Sequence, residues 1–171
     1  MLDDTEPKAE VDRGLEDFDS AFPQLYTAAY RLAYRLCGSD EDAQDLAQDA
    51  LVRAFSRWDR IGSYAEPSAW IARVVTNLAF DMWRRRRLAV RVRPHVDPAP
   101  TDDHVELYTA LDALPRRQRQ VVVLRYLADQ SEGATAEALG CSVGTVKQHA
   151  SRGLVALRAQ LAANRTPEEL P

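Results

Sequence analysis

Cysteine is scarce in this chain: Cys37 and Cys141 are the two present, more than a hundred residues apart. That spacing excludes a disulfide framework and a metal-ligand cluster, and it points to a reducing cytoplasm. Each reads as a small buried apolar residue beside a helix-ending glycine. The three histidines, His95, His104 and His149, fall in a linker, at its edge and on a candidate recognition helix. With no nucleophile–base pair and no phosphate-binding glycine loop, an enzyme is not expected, and neither a cofactor nor a metal is called for. Long apolar runs are missing as well, so no membrane insertion is expected. The N-terminus, MLDDTEPKAEVDRGLEDFDS, lacks the basic-then-apolar layout of a signal peptide, and a cytoplasmic protein is expected. Lysine is nearly absent, 2 against 20 Arg; with abundant alanine this hints at a GC-rich genome and says nothing about mechanism.

What is present is segregated charge. The 171 residues are 46% hydrophobic and 28% charged, as in soluble globular proteins, with a net charge of −4. Residues 1–20 carry −6, 21–66 carry −2, 67–93 carry +6, 94–114 carry −5, 115–158 carry +4 and 159–171 carry −1. Two basic blocks alternate with acidic ones, and patches rather than totals decide where a polyanion binds. An acidic total resists nonspecific nucleic-acid binding, which suits a protein that needs a partner to reach DNA.

The periodicity gives helices and no strand. Leu25, Ala29, Leu32 and Leu36 form one apolar stripe, ended by Gly38. Ser39 followed by Asp40, Glu41 and Asp42 starts a second helix, with acids facing its dipole, that continues to Trp58. Beyond the turn-like stretch 59–66, Pro67 suits the first position of a third helix. Its face is Ile71, Val74, Val75, Leu78 and Met82, and it runs out into Arg84–Arg87. Residues 89–104 hold three prolines and no apolar period, the composition of a linker. Val105, Tyr108, Leu111 and Leu114 suggest a short helix, and Pro115 begins another through Val121, Val122, Leu124 and Leu127.

Residues 133–158, GATAEALGCSVGTVKQHASRGLVALR, have the spacing of a helix-turn-helix. Ala136 lets two helices cross closely, Gly140 can take φ > 0 at the helix end, and Val146 pins the second helix. Ser142 can cap that helix, whose apolar positions are Val146, Ala150, Leu154, Leu157 and Leu161. Such a unit usually lays its second helix in a DNA major groove, although an ordinary helical hairpin shows the same pattern. The expected fold is all-α: two small helical domains joined by a Pro-rich linker. Residues 1–20 form an acidic extension with the composition of a disordered segment, 21–88 and 105–163 the domains, 89–104 the linker and 164–171 a tail.

Two ordered stretches carry a resemblance. Residues 21–88, with DEDAQDLAQDALVRAFSRW and WIARVVTNLAFDMWRRRR, resemble region 2 of the extracytoplasmic-function sigma factors of bacterial RNA polymerase. Residues 105–160, with ALDALPRRQRQVVVLRYLADQSEGATAEALGCSVGTVKQHASRGLVALR, resemble region 4. The likeness covers roughly four-fifths of the chain, and its two parts stand in the family's order. Two departures stand out: Gly133 occupies a helical position at a cost of about 1 kcal/mol against alanine, and GTVK continues with Gln148-His149 where the family commonly has Ser-Arg.

The resemblance implies a promoter-directing factor without catalysis, whose partners are the β′ clamp helices and β flap of core RNA polymerase, promoter DNA and, as often in the family, an anti-sigma factor. It implies that Asp45, Gln48, Asp49 and Arg53 dock on core polymerase. Region 2 would handle the −10 element through Tyr64, Arg73, Asn77, Asp81 and the run Arg84, Arg85, Arg86 and Arg87, with cations on the displaced backbone. Tyr64 and Trp70 are either stacking surfaces or core residues, and Trp58 reads as core. Region 4 would read the −35 element through Thr145, Lys147, Gln148, His149, Ser151 and Arg152, with Arg116, Arg117 and Arg119 on phosphates or polymerase. His149 is open between a base contact, a phosphate contact and plain exposure. The acids Asp97, Asp102 and Asp103 either pass near the RNA path or simply solvate a spacer. A stand-alone helix-turn-helix regulator explains the second domain but leaves the first without a job, and an adaptor would show no polymerase-dependent promoter binding.

Overall fold

The capping residues set the helix boundaries. In the computed structural model, which describes residues 6–92 and 102–164, Ser39 Oγ accepts the Asp42 backbone N–H at 3.3 Å. That starts α2 (Asp40–Phe55), with three acids in its first turn. The preceding α1 (Glu6–Cys37) ends at Gly38, whose φ of +71° suits a residue without Cβ. A Cβ there would also lie 2.7 Å from the His104 imidazole. Tyr30 of α1 touches Asp40 at the start of α2, and Phe18 touches Phe55 at its end, so the two helices run antiparallel. A short α3 (Trp58–Ile61) tucks Trp58 and Ile61 inward, and α4 (Pro67–Val92) crosses the pair. Leu25, Ala29, Leu32 and Leu36 meet Leu46, Ala50 and Leu51, and Ile71, Val74, Val75 and Leu78 close the core.

The second half comprises α5 (Asp102–Asp112), α6 (Arg116–Val122) with a π-helical continuation over Val123–Leu127, α7 (Glu132–Leu139) and α8 (Val143–Asn164). Gly140 sits at φ +63°; its N–H donates to Glu137 O at 3.2 Å, and that of Cys141 to Ala136 O at 3.0 Å. This pair of bonds satisfies the end of α7 and turns the chain into α8. Ser131 and Ser142 cap the two helices through the N–H groups of Ala134 and Thr145. Val146 is fully buried and Ala136 nearly so, as the motif requires.

Several expectations are corrected. Within the acidic stretch, α1 starts at Glu6, and Phe18 is buried with its ring 5.1 Å from Phe55 and 5.0 Å from Trp58, while residues 1–5 lie outside the described residues. An aromatic gives that turn a core contact its acids could not. The linker is shorter at both ends than 89–104, because α4 continues to Val92 and α5 begins at Asp102. Residues 93–101, with His95 and Asp97, and the tail 165–171 lie outside the described residues. The stretch 59–66 contains the end of α3, and Cys141 is half-buried rather than buried. The two helical domains also pack on each other: one buried cluster runs from Leu25 through Trp83 and Tyr108 to Val146.

Gly153 marks where α8 crosses α6. It is buried, and a Cβ there would sit 2.7 Å from Val122 Cγ2, a stiff side chain inside the core. Gly153→Leu should therefore destabilise the chain by about 2 kcal/mol or more, because overpacking outweighs the roughly 1 kcal/mol of helix propensity gained. Urea denaturation checks this; an unchanged midpoint would mean α8 shifts freely over α6.

Candidate nucleic-acid interface

Three surfaces carry the residues singled out from the sequence. On α8, Val146, Ala150 and Gly153 are buried, which turns Lys147, Gln148, Ser151 and Arg152 to solvent along the first turns of the helix. Lys147 Nζ lies 3.5 Å from Glu132 Oε2, an exposed pair worth little in water and easily exchanged for a phosphate. Thr145 is half-buried, its hydroxyl 2.9 Å from that of Ser142, so it serves the turn. His149 is half-buried, and its Nδ1 is buried without a hydrogen-bond partner, which removes plain exposure from its three readings. Val155, 64% exposed one turn beyond Ser151, extends this face with an apolar side chain that sequence reasoning passed over.

The second surface is α4. Trp70 and Trp58 belong to the core, which settles them as packing residues. Tyr64 is half-buried and its hydroxyl accepts from Arg60 Nε at 3.2 Å. Arg73 lies 5.4 Å over the Trp70 ring, with its Nε buried and unbonded. Burial pushes its guanidinium below the usual range; Tyr64 opposes this, and the charges of Arg117, Arg60 and Arg116 add to it. Those four arginines thus form one basic cluster contributed by both halves of the chain. Arg85 is exposed, while Arg86 makes a two-pronged ion pair with Asp42 at 2.6 and 2.7 Å, tying α4 to α2. Arg84 lies 3.3 Å from Asp81 and 3.9 Å from Asp112, and Arg87 lies 3.5 Å from Asp112. Asn77 accepts from Gln120 Nε2 at 2.9 Å.

Arg119 departs from expectation. It is 5% exposed, bonded to Asp112 at 2.6 Å and stacked 4.3 Å over Phe80, so it packs the two halves together instead of meeting DNA. Burial pushes its guanidinium below the usual range and Asp112 counteracts this. Arg116 and Arg117 remain exposed, and Arg117 donates to Leu139 O at 3.3 Å. A cleft of about 200 Å³ lies here, with Asn77, Asp81 and Arg84 on one wall and Arg116 and Arg119 on the other.

The third surface is the outer face of α2, where Asp45, Gln48, Asp49 and Arg53 are arrayed over the buried stripe Leu46, Ala47, Ala50, Leu51 and Ala54. In their midst Val52 is 66% exposed, with Phe55 also largely exposed at the end of the helix. An apolar position off the stripe was the available signal for Val52.

Such a chain, two helical units with a helix-turn-helix in the second and cations on both, is a DNA-binding protein of transcription. Comparison with known proteins places it more finely. Residues 22–89 match the family described as Sigma-70 region 2 and residues 104–157 that described as Sigma-70, region 4. An RNA polymerase sigma-E factor of Streptomyces avermitilis is 40% identical over 85% of both chains. The ECF RNA polymerase sigma factor SigW of Bacillus subtilis is 30% identical over 89% of this chain and 93% of its own. Among solved structures, the sigma factor RpoE of Bartonella quintana, in complex with the anti-sigma factor NepR, superposes with a TM-score of 0.57 at 25% identity, covering 88% of this chain and 99% of that one. CnrH, in complex with the cytosolic domain of CnrY, gives a TM-score of 0.59 at 26% identity, over 85% and 88%. The chain belongs to the extracytoplasmic-function group of the sigma-70 family. It is a non-enzymatic initiation factor that directs RNA polymerase to promoter DNA, as expected from the sequence, and the stand-alone regulator is not favoured.

Proposed function

We propose that the three surfaces divide the work of initiation. The outer face of α2, with Asp45, Gln48, Asp49, Val52 and Arg53, docks on the β′ clamp helices. The α4 face, with Asn77, Asp81 and the arginines from Arg84 to Arg87, joined by Arg73 and Tyr64, takes the opened −10 strand. The α8 face reads the −35 element, with Arg116 and Arg117 on phosphates or the β flap. The solved relative bound to an anti-sigma factor suggests that such a protein engages this chain too, in the cytoplasm.

The observation that carries this reading is the sorting of α8: apolar and small residues inward, Lys147, Gln148, Ser151 and Arg152 outward over two turns. Run-off transcription with purified core polymerase, followed by start-site mapping, tests it; a holoenzyme that initiates equally well without residues 102–164 would overturn the assignment of −35 reading to α8. A second test addresses α4. Replacing Arg84, Arg85 and Arg87 by alanine should flatten the salt dependence of open-complex formation, by about 0.7–0.9 log unit for each phosphate that is no longer neutralised. Arg86 is left in place because its pairing with Asp42 supports the fold. A slope equal to the parent's would mean that these arginines do not touch the promoter.

A further inference from the structure

The cleft between α4 and α6 has no part in the division of surfaces given above. Asn77, Asp81 and Arg84 of α4 face Arg116 and Arg119 of α6 across it. Positions 73, 77, 81 and 84 recur every three or four residues, so Arg73 continues the α4 wall. The charges along these walls are unbalanced. Arg119 is already taken, with Asp112 at 2.6 Å and Phe80 beneath its plane. Arg116 is exposed, and no hydrogen bond or ion pair to its side chain is found among the described residues. Opposite it, Arg84 makes two loose contacts, 3.3 Å to Asp81 and 3.9 Å to Asp112. Half-exposed pairs of this kind are weak and exchange readily for another anion.

The far end of the wall repeats the imbalance. The leading charged neighbours of Arg73 are Arg117, Arg60 and Arg116, with no carboxylate among them. Its Nε is buried and has no hydrogen-bond partner. Arg116 thus belongs to both groups, and cations line the cleft from Arg84 to Arg73. In a chain whose net charge is −4, such a row is not for want of acids. It fits a counter-anion.

Size and donors define that anion. At about 200 Å³ the cleft is smaller than the roughly 300–1,000 Å³ of a drug-sized pocket, so it admits a compact anion and not a nucleic-acid strand. Guanidinium forks on two walls match phosphoryl oxygens. One phosphate would occupy a single fork. Arg84 and Arg73 stand about 16 Å apart along α4, at about 1.5 Å per residue, which calls for charge strung along a chain. Asn77 lies between them. Its Oδ1 accepts from Gln120 at 2.9 Å, which leaves its amide hydrogens for a phosphoryl oxygen.

We propose that this cleft binds a chain of linked phosphoryl groups, inorganic or the phosphate tail of a nucleotide. Arg84 and Arg116 grip it from opposite walls, Asn77 donates to it between them, and Arg73 meets its far end. Arg84 is shared with the surface proposed for the −10 strand. Binding in the cleft does not rest on that assignment, which the salt slope of open-complex formation tests by itself.

Titration calorimetry of the full free chain tests the proposal, in about 0.15 M salt without divalent cations. The probes are orthophosphate, triphosphate and adenosine triphosphate. Triphosphate should bind at one site, at least about tenfold more tightly than orthophosphate. Arg116→Ala should weaken it about tenfold or more, the usual scale for a hydrogen bond to a charged group. Arg158→Ala removes the same charge from an exposed position outside the cleft and should leave the affinity within about twofold. Asp81→Asn should tighten binding, a gain that a merely structural role would not produce. Thermal unfolding of each variant checks that it is folded. Adenosine triphosphate binding as well as triphosphate would assign a nucleotide tail, and binding about tenfold more weakly would assign an inorganic chain; either supports the site. Orthophosphate binding as tightly as triphosphate overturns it, as does the absence of triphosphate binding. Equal losses in Arg116→Ala and Arg158→Ala would also overturn it, since they mean diffuse attraction.

Discussion

A chain carrying Asp49→Arg and Val52→Asp should fold like its parent and bind core RNA polymerase about 100-fold more weakly, or worse. Both side chains point out from α2, and Val52 is 66% exposed in the isolated chain. Among the described residues neither side chain has a hydrogen-bond or ion-pair partner, so unfolding should move by no more than about 0.5 kcal/mol. At an interface the position is different. An apolar side chain ringed by Asp45, Gln48, Asp49 and Arg53 has the layout of a hot spot, dry at its centre and polar at its rim. A carboxylate buried there without a partner costs several kcal/mol, and reversing the charge at Asp49 inverts the electrostatics that this acidic face offers to its partner. Fluorescence-detected titration of core into labelled factor measures the change, with thermal unfolding as the control for structure. Parent-like affinity in a folded double variant would remove α2 from the polymerase contact.

Local order was legible because it is written locally. Ser39 and Ser142 cap where an acceptor is needed, Gly38 and Gly140 take the φ that other residues avoid, and Leu25 to Leu36 give a face with helical period. What periodicity omits is which surface covers a buried face. Arg119 sits in a basic run that reads as holding phosphates or polymerase, yet its charge is consumed by Asp112 and its plane by Phe80. Asp112 itself belonged to an acidic stretch with no local pattern to distinguish it; its partners Arg84 and Arg87 lie some twenty-five residues upstream, across the linker. Tyr108 belongs to the apolar period that marks α5, but its stacking on Phe80 and Trp83 depends on how the two halves dock. The same limit hid the reach of α1 back to Glu6, since a segment carrying a charge of −6 reads as solvated until Phe18 is seen to have a pocket.

Alanine at Gln148 should relax base preference at one −35 position while leaving the others intact, and alanine at Arg152 should do so at another. Both side chains are exposed on α8, next to buried Ala150 and Gly153, so the helix is fixed against its own domain while they face outward. A carboxamide pairs bidentately with adenine and a guanidinium with guanine, each worth about 1–3 kcal/mol against the wrong base, or roughly 5- to 150-fold in promoter choice. Lys147 should behave otherwise. Its ammonium is a flexible point charge, already 3.5 Å from Glu132, and such a group holds a phosphate rather than reading an edge. Lys147→Ala should therefore lower activity at all promoters by a similar factor and reduce the salt slope by about one unit. Glu132→Gln, by freeing the lysine, should raise activity at all of them modestly, a sign that a structural role for this pair would not produce. Thr145→Val should act through stability, since its hydroxyl is engaged with Ser142 at the start of the helix. Libraries randomised across the −35 region and transcribed by each variant holoenzyme separate base reading from phosphate holding in one experiment. Matching preference profiles for Gln148→Ala, Arg152→Ala and the parent would show that α8 selects promoters by groove shape or backbone contact, and not through these side chains.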